Sequence, residues 1–138
     1  MNKPTNRTSH FARLLFPVLI IALALTARLL PGTRTIDDSF ITYRYASNIV
    51  AGEGFVYNPG ERVLGTTTPF YTLLLAVISI FAGGADAPFP TMALIVNALA
   101  DTVTALLLWR LGKRLDFPYA GAGAALIWAI APYSVTFA

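Results

Sequence analysis

The sequence predicts an all-α membrane protein: about three transmembrane helices, with two interfacial helices in the first outer loop. Three observations carry this. Of 138 residues, 56% are hydrophobic and 12% charged, against about 25% charged in an ordinary soluble domain. Mean hydropathy is +0.63. The charges are also gathered between long apolar runs, the pattern of a chain whose solvent alternates between lipid and water.

Residues 1–13 read as a polar, basic cytoplasmic tail with Lys3, Arg7 and Arg13. Residues 14–30 form the first apolar run, roughly 25 Å long as a helix. That is a little short for a hydrocarbon core of about 30 Å, and Arg13 and Arg28 are expected to snorkel from its ends. The same run fits a signal peptide, with small residues at Ala22, Ala24 and Ala27; the later spans keep the chain in the membrane in either case.

Residues 31–90 are expected to form the outer loop. Pro31-Gly32 ends the first helix. Thr35 and Asp38 have capping-box spacing, and Asp37 is an alternative N-cap. A helix over about 37–51 follows, its partly apolar face made of Phe40, Ile41, Tyr45 and Ile49, as in a helix lying on a membrane surface. Gly52 and Gly54 stop it. Phe55-Val56-Tyr57 reads as short and extended, and Asn58-Pro59-Gly60 as a turn. Thr66-Thr67-Thr68-Pro69 starts the next helix, with Thr as cap and Pro in the first turn. Its apolar stretch, 69–82, suits an interfacial or re-entrant helix better than a full span.

Residues 91–109 read as a transmembrane helix, 110–116 as a cytoplasmic loop and 117–138 as the next span. Gly121 and Gly123 lie among alanines there, which lets helices approach closely. Orientation follows from charge. The N-terminal cluster places the tail inside. The outer loop carries Arg34, Arg44 and Arg62 against Asp37, Asp38, Glu53 and Glu61, a net of −1. If 69–82 dips into the outer leaflet without crossing, Arg110, Lys113 and Arg114 fall inside, as the positive-inside rule requires. The chain stops within an apolar run, which reads as the N-terminal piece of something longer.

Composition excludes several chemistries. Cysteine is absent and the single histidine, His10, lies in the tail, so thiolate, histidine-triad and zinc sites cannot be built from this chain. No basic stripe interleaved with aromatics suggests nucleic acid. No glycine-rich phosphate loop is present.

The candidate chemistry centres on Asp37-Asp38. One acid in a helix's first turn complements the dipole by about 0.3–1 kcal/mol; two adjacent acids repel, which points to function as much as to capping. Arg44, between Tyr43 and Tyr45, lies about two turns further on and either pairs with these acids, holds a phosphate, or is a surface cation in an aromatic belt. Glu61-Arg62 reads as a solvated pair or a substrate contact. Asn97 and Asp101 are one turn apart on a membrane span, marking either a substrate path or a hydrogen bond to a neighbouring helix.

The run Asp37-Asp38-Ser39-Phe40-Ile41-Thr42-Tyr43-Arg44-Tyr45-Ala46 through Gly54-Phe55-Val56-Tyr57-Asn58-Pro59-Gly60-Glu61-Arg62-Val63 resembles the N-terminal module of GT-C membrane glycosyltransferases that use polyprenyl-phosphate sugars. It looks most like the branch of mycobacterial terminal arabinofuranosyltransferases, and is more distantly similar to aminoarabinose and protein mannosyl transferases. Thr66-Thr67-Thr68-Pro69 occupies the place where relatives often carry Tyr-Thr-Ser-Pro; the aromatic is missing here.

The resemblance implies an inverting transferase at the outer face of the cytoplasmic membrane. The acceptor would be the hydroxyl of a glycan, lipid or protein, with Asp37 as base beside Asp38. Tyr43, Arg44 and Arg62 are the expected substrate-binding residues, with Arg34 as a further cation for the leaving phosphate. Membrane lipid is the expected surround. A divalent cation between the two acids is compatible with the pattern; no cofactor is demanded. The rival functions are a transporter or flippase subunit working through Asp101 and Asn97, and a non-catalytic membrane scaffold.

Overall fold

The computed structural model describes residues 7–33, 37–61, 63 and 65–131, with side chains from residue 15 onward apart from that of Asp37. Among these residues the fold is all-helical: α1 (Arg7–Leu29), α2 (Asp37–Val50), α3 (Pro69–Ala82), α4 (Phe89–Arg114) and α5 (Pro118–Ile130), with a 3₁₀ turn at Gly84–Asp86. The chain divides into two compact units. One joins Met1–Pro31 to Asn97–Thr136; the other is built on Gly32–Val96.

In the first unit α1 packs with α5 and with the later part of α4. Ile20, Ala105 and Ala125 are buried at its centre, with Phe16, Leu106, Leu108 and Trp109 against them. The Phe16 and Trp109 rings lie 5.6 Å apart. Contact of Phe16 with Trp109, and of Arg28 with Asp101, makes α1 antiparallel to α4.

Helix α4 closes with Phe117 N–H donating to the Gly112 carbonyl at 2.8 Å. Asp116 takes the left-handed conformation, φ 61°, that this type of helix end requires. Pro118 then opens α5. The two helices cross glycine on glycine: a Cβ on Gly112 would stand 2.3 Å from the Gly121 Cα, so no other residue fits without moving backbone. Gly123, by contrast, faces open space and takes no part in this packing.

Arg28 closes the other end of this unit. The expectation that it snorkels is corrected: Arg28 is 1% exposed. Its Nε donates to Asp101 Oδ2 at 2.6 Å. Nη1 donates to the Ala129 carbonyl at 2.8 Å and to the Ala24 carbonyl at 3.3 Å; Nη2 donates to the Trp128 carbonyl at 3.2 Å. Trp128 and Ala129 lie in the last turn of α5, where carbonyls lack the usual helical partner; the Trp128 carbonyl also accepts from the Ala131 amide at 3.3 Å. The guanidinium therefore neutralises an acid and caps a helix at once. Of the two sequence readings of Asp101, the contact to a neighbouring helix is the one seen.

The second unit packs α2 on α3 and both on the 3₁₀ turn. Tyr43, Ala46, Leu75, Ala76, Ala87, Phe89, Met92 and Ala93 form its core. Helix α2 ends in a Schellman motif, Glu53 N–H to the Asn48 carbonyl and Gly52 N–H to that of Ile49, at 3.0 and 3.2 Å, with Gly52 at φ 86°. Ser47 Oγ donates to the Ala85 carbonyl at 2.8 Å.

Several boundaries differ from expectation. Helix α1 begins at Arg7, because no Pro or Gly interrupts the chain between Arg7 and Phe16. Helix α4 starts at Phe89 and continues to Arg114, taking in most of the expected 110–116 loop, because Lys113 and Arg114 favour the negative end of the helix dipole. Among the described residues α4 alone is long and apolar enough to cross a membrane; the apolar part of α1, α3 and α5 are shorter.

Removing one partner of a buried ion pair leaves a charge unpaired and costs about 3–5 kcal/mol. Arg28→Ala and Asp101→Asn are each expected to lower the denaturation midpoint sharply. The apolar double variant Arg28→Met/Asp101→Leu should recover only part of the loss, because the Ala129 carbonyl loses its guanidinium donor and the Trp128 carbonyl is left with the Ala131 amide alone. Equal midpoints for wild type and Arg28→Ala would refute this account.

Candidate functional site

Asp37 is the first residue of α2, so the cap position falls on residue 36, outside the described residues, as does Thr35. The Asp37 side chain is likewise outside the described set. Asp38 is exposed in the first turn. One turn on, and so on the same face of the helix, Thr42 is buried and its Oγ1 lies 3.2 Å from Thr68 Oγ1. Thr68 immediately precedes α3. The hydroxyl contact thus draws the N-terminal turns of two helices together, one of them acid-bearing.

The Thr68 hydroxyl was expected to cap α3. Thr68 holds the cap position but makes no side-chain capping bond. Its carbonyl instead accepts from the Thr72 amide and the Thr72 hydroxyl, both at 3.0 Å. Thr66 Oγ1 lies 3.4 Å from Thr72 Oγ1 and accepts from the Thr68 amide at 3.3 Å. Pro69 occupies the first turn, where its missing N–H costs nothing. The backbone dipoles of α3 place a partial positive charge at this end of the helix. Hydroxyls and helix-end amides can hold a phosphate there, while a nearby carboxylate can take a proton.

The other residues singled out by sequence divide between this place and the frame around it. Tyr43 is buried, its ring stacked on Phe89 at 6.2 Å and edge-on to Phe40 at 5.7 Å. It belongs to the core of the unit and not to an exposed aromatic belt. Burial pushes its phenol above the ordinary tyrosine range, and a hydrogen bond with Ser39 works the other way.

Arg44 is exposed and donates through Nε to the Tyr57 carbonyl at 3.3 Å; Asp38 is not its partner. Glu61 accepts from Asn58 Nδ2 at 3.1 Å. Its amide closes the Asn58-Pro59-Gly60-Glu61 turn, with Gly60 at φ 88°, the geometry of a type II turn. Arg34 and Arg62 lie outside the described residues. The described residues hold no group of three or more potential metal-ligating side chains among His, Cys, Asp and Glu.

Two residues that organise this region were missed. Asn48 is buried, and its Nδ2 donates to the Val56 and Tyr57 carbonyls, each at 2.8 Å; this, and not strand pairing, holds 55–57. Tyr45 is fully buried between Phe55 and Tyr57. Its hydroxyl donates to the Val63 carbonyl and accepts from the Gly65 amide at 2.7 Å. The one available signal was spacing: Tyr45 and Asn48 are three apart and share a face of α2.

Comparison of the chain with protein-family models, with curated proteins and with solved structures returns no match.

Tyr45→Phe removes both bonds to the 63–65 segment. A loss of about 1–2 kcal/mol and faster hydrogen exchange at the Gly65 amide are expected; unchanged exchange there would count against the Tyr45–Gly65 bond. A second test concerns alkali. Because the folded-state pKa of Tyr43 is raised, its contribution to stability is intact below the ordinary tyrosine pKa of about 10 and is lost as pH rises through the higher folded value. Denaturation midpoints measured between about pH 9 and pH 12 should fall less steeply for Tyr43→Phe than for wild type.

Proposed function

We propose that this chain is the N-terminal part of a membrane-embedded inverting glycosyltransferase that uses a polyprenyl-phosphate sugar. The observation that carries the proposal is the convergence of the α2 and α3 N-terminal turns through Thr42 and Thr68. It brings the acid-bearing end of α2 toward the positive end of the α3 dipole. This is the pairing that displacement of a phosphate by a hydroxyl needs.

In the proposed step the acceptor hydroxyl oxygen attacks the anomeric carbon. The bond from that carbon to the phosphate oxygen breaks, inverting the centre, and the hydroxyl proton passes to Asp37, with Asp38 as its neighbour. The departing polyprenyl phosphate takes the electron pair and is stabilised by the α3 N-terminus and by cations of the loop. Arg44, exposed and held to the Tyr57 carbonyl through Nε, stands with Arg34 and Arg62 as the cations proposed for the phosphate.

Membrane embedding is part of the proposal. Its support is the exposed apolar surface. On α3, Phe70, Leu73, Val77, Ile80 and Phe81 are exposed, and on α4 a four-residue repeat of Ile95, Leu99, Val103, Leu107 and Leu111. Stripes of this extent on a water-soluble monomer would drive association. The antiparallel pairing of α1 with α4 also brings the N-terminal half of α1 beside Arg110, Lys113 and Arg114, the end assigned to the cytoplasm. The transport reading has no comparable support, since Asp101 is engaged by Arg28.

The test uses membranes carrying the native gene product and a polyprenyl-phosphate-linked radiolabelled sugar. Asp37→Asn should lower transfer by about 10²–10⁴-fold at unchanged expression. Full activity in that variant would sink the assignment.

A further inference from the structure

A groove of about 460 Å³ runs between α1 and α4, lined by Pro17, Ile21, Leu106, Trp109, Arg110, Lys113 and Arg114. Its residues sort by chemistry. Pro17, Ile21 and Leu106 make an apolar floor. Arg110, Lys113 and Arg114, all exposed, occupy the last turns of α4. No acid is among the described lining residues, and neither arginine has an ion-pair partner among the described residues. Lys113 is held over the Trp109 ring, Nζ 4.7 Å from its centroid, which keeps that ammonium at the junction of the charged and apolar parts. A second depression lies against the same two arginines and is walled by Thr104, Leu107, Leu108 and Leu111.

The positive-inside rule asks only for cations near this end. It does not ask for an apolar trough continuous with them. Three cations uncompensated within the groove, joined to an aliphatic floor, match a ligand that is anionic at one end and a hydrocarbon chain at the other. We propose that this groove binds an anionic phospholipid. Its phosphate is taken by Arg110 and Arg114, which offer planar donor pairs suited to phosphate oxygens. Lys113 adds charge, and an acyl chain lies along Pro17, Ile21 and Leu106. The site is separate from the proposed transfer chemistry and rests on the membrane reading alone.

Native mass spectrometry of the purified native gene product in detergent tests this, with phosphatidylglycerol, phosphatidylcholine and inorganic phosphate as separate probes. Phosphatidylglycerol should be retained at least tenfold better than phosphatidylcholine. Arg110→Gln and Arg114→Gln should each cut retention about fivefold, from roughly 1 kcal/mol per cation. Both positions are exposed, so folding should persist, and the Arg110→Lys/Arg114→Lys variant should keep most of the preference over phosphatidylcholine. Equal retention of the two lipids, or unchanged retention in both glutamine variants, overturns the site while leaving the membrane reading intact. Inorganic phosphate competing as well as the lipid shows an anion site without a lipid requirement and overturns the proposal. Retention of neither lipid also overturns the site; the membrane reading, which stands on the exposed apolar stripes of α3 and α4, is untouched by it.

Discussion

A buried guanidinium must find an acceptor for its N–H groups, and Arg28 finds acceptors on three helices. Asp101 supplies charge from α4, Trp128 and Ala129 supply the last carbonyls of α5, and Ala24 supplies one from α1 itself. Burying an ion pair often contributes little net stability, because desolvation offsets attraction. What the arrangement contributes is register. Sliding α1 by one residue along α4 would turn the guanidinium away from Asp101 and from the Trp128 and Ala129 carbonyls of α5. Small side chains surround it: Ala24, Ala105, Ala125 and Ala129 are fully buried.

The unit built on Gly32–Val96 uses a different device. Helix α2 is less a lipid-facing element than a rack of side chains that hold an irregular segment. Asn48 and Arg44 grip the carbonyls at 56–57, Tyr45 grips 63–65, and Thr42 meets the start of α3. A loop so fastened can carry chemistry without regular structure of its own. The proposed transfer site depends on this rack, since it brings the N-terminal turns of α2 and α3 together. In the proposed reaction the acids that open α2 do the chemistry, while Thr42, Arg44, Tyr45 and Asn48 behind them hold the loop in place.

Much of the helix content was legible in local signals. The bounds of α3 follow from Thr68-Pro69 and Gly83-Gly84, and those of α2 from the acid pair and Gly52. Extension of α4 through Arg110, Lys113 and Arg114 was not, because a basic cluster after an apolar run reads equally as a loop or as the last turns of a helix. Thr68 was identified as the α3 cap by residue type, yet its hydroxyl turns to Thr42, a partner 26 residues away that no local pattern reveals. Tyr43 and Tyr45 flank Arg44 in sequence and invite an interfacial reading. Both rings face inward, because residues two apart on a helix point in different directions and each found its own aromatic neighbours.

The sequence by itself determined the all-helical character of the described chain, the glycine and proline stops, and the placement of two acids at the head of α2, since each depends on residues within a few positions. Tertiary structure alone decided the partner of Arg28, the joining of the α2 and α3 N-terminal turns, and the burial of Tyr43, Tyr45 and Asn48. The physical reason is range. Backbone propensity and capping act over one or two turns. A buried charge or amide is satisfied by whichever acceptor the packed helices deliver, and in the case of Arg28 that acceptor stands 73 residues away.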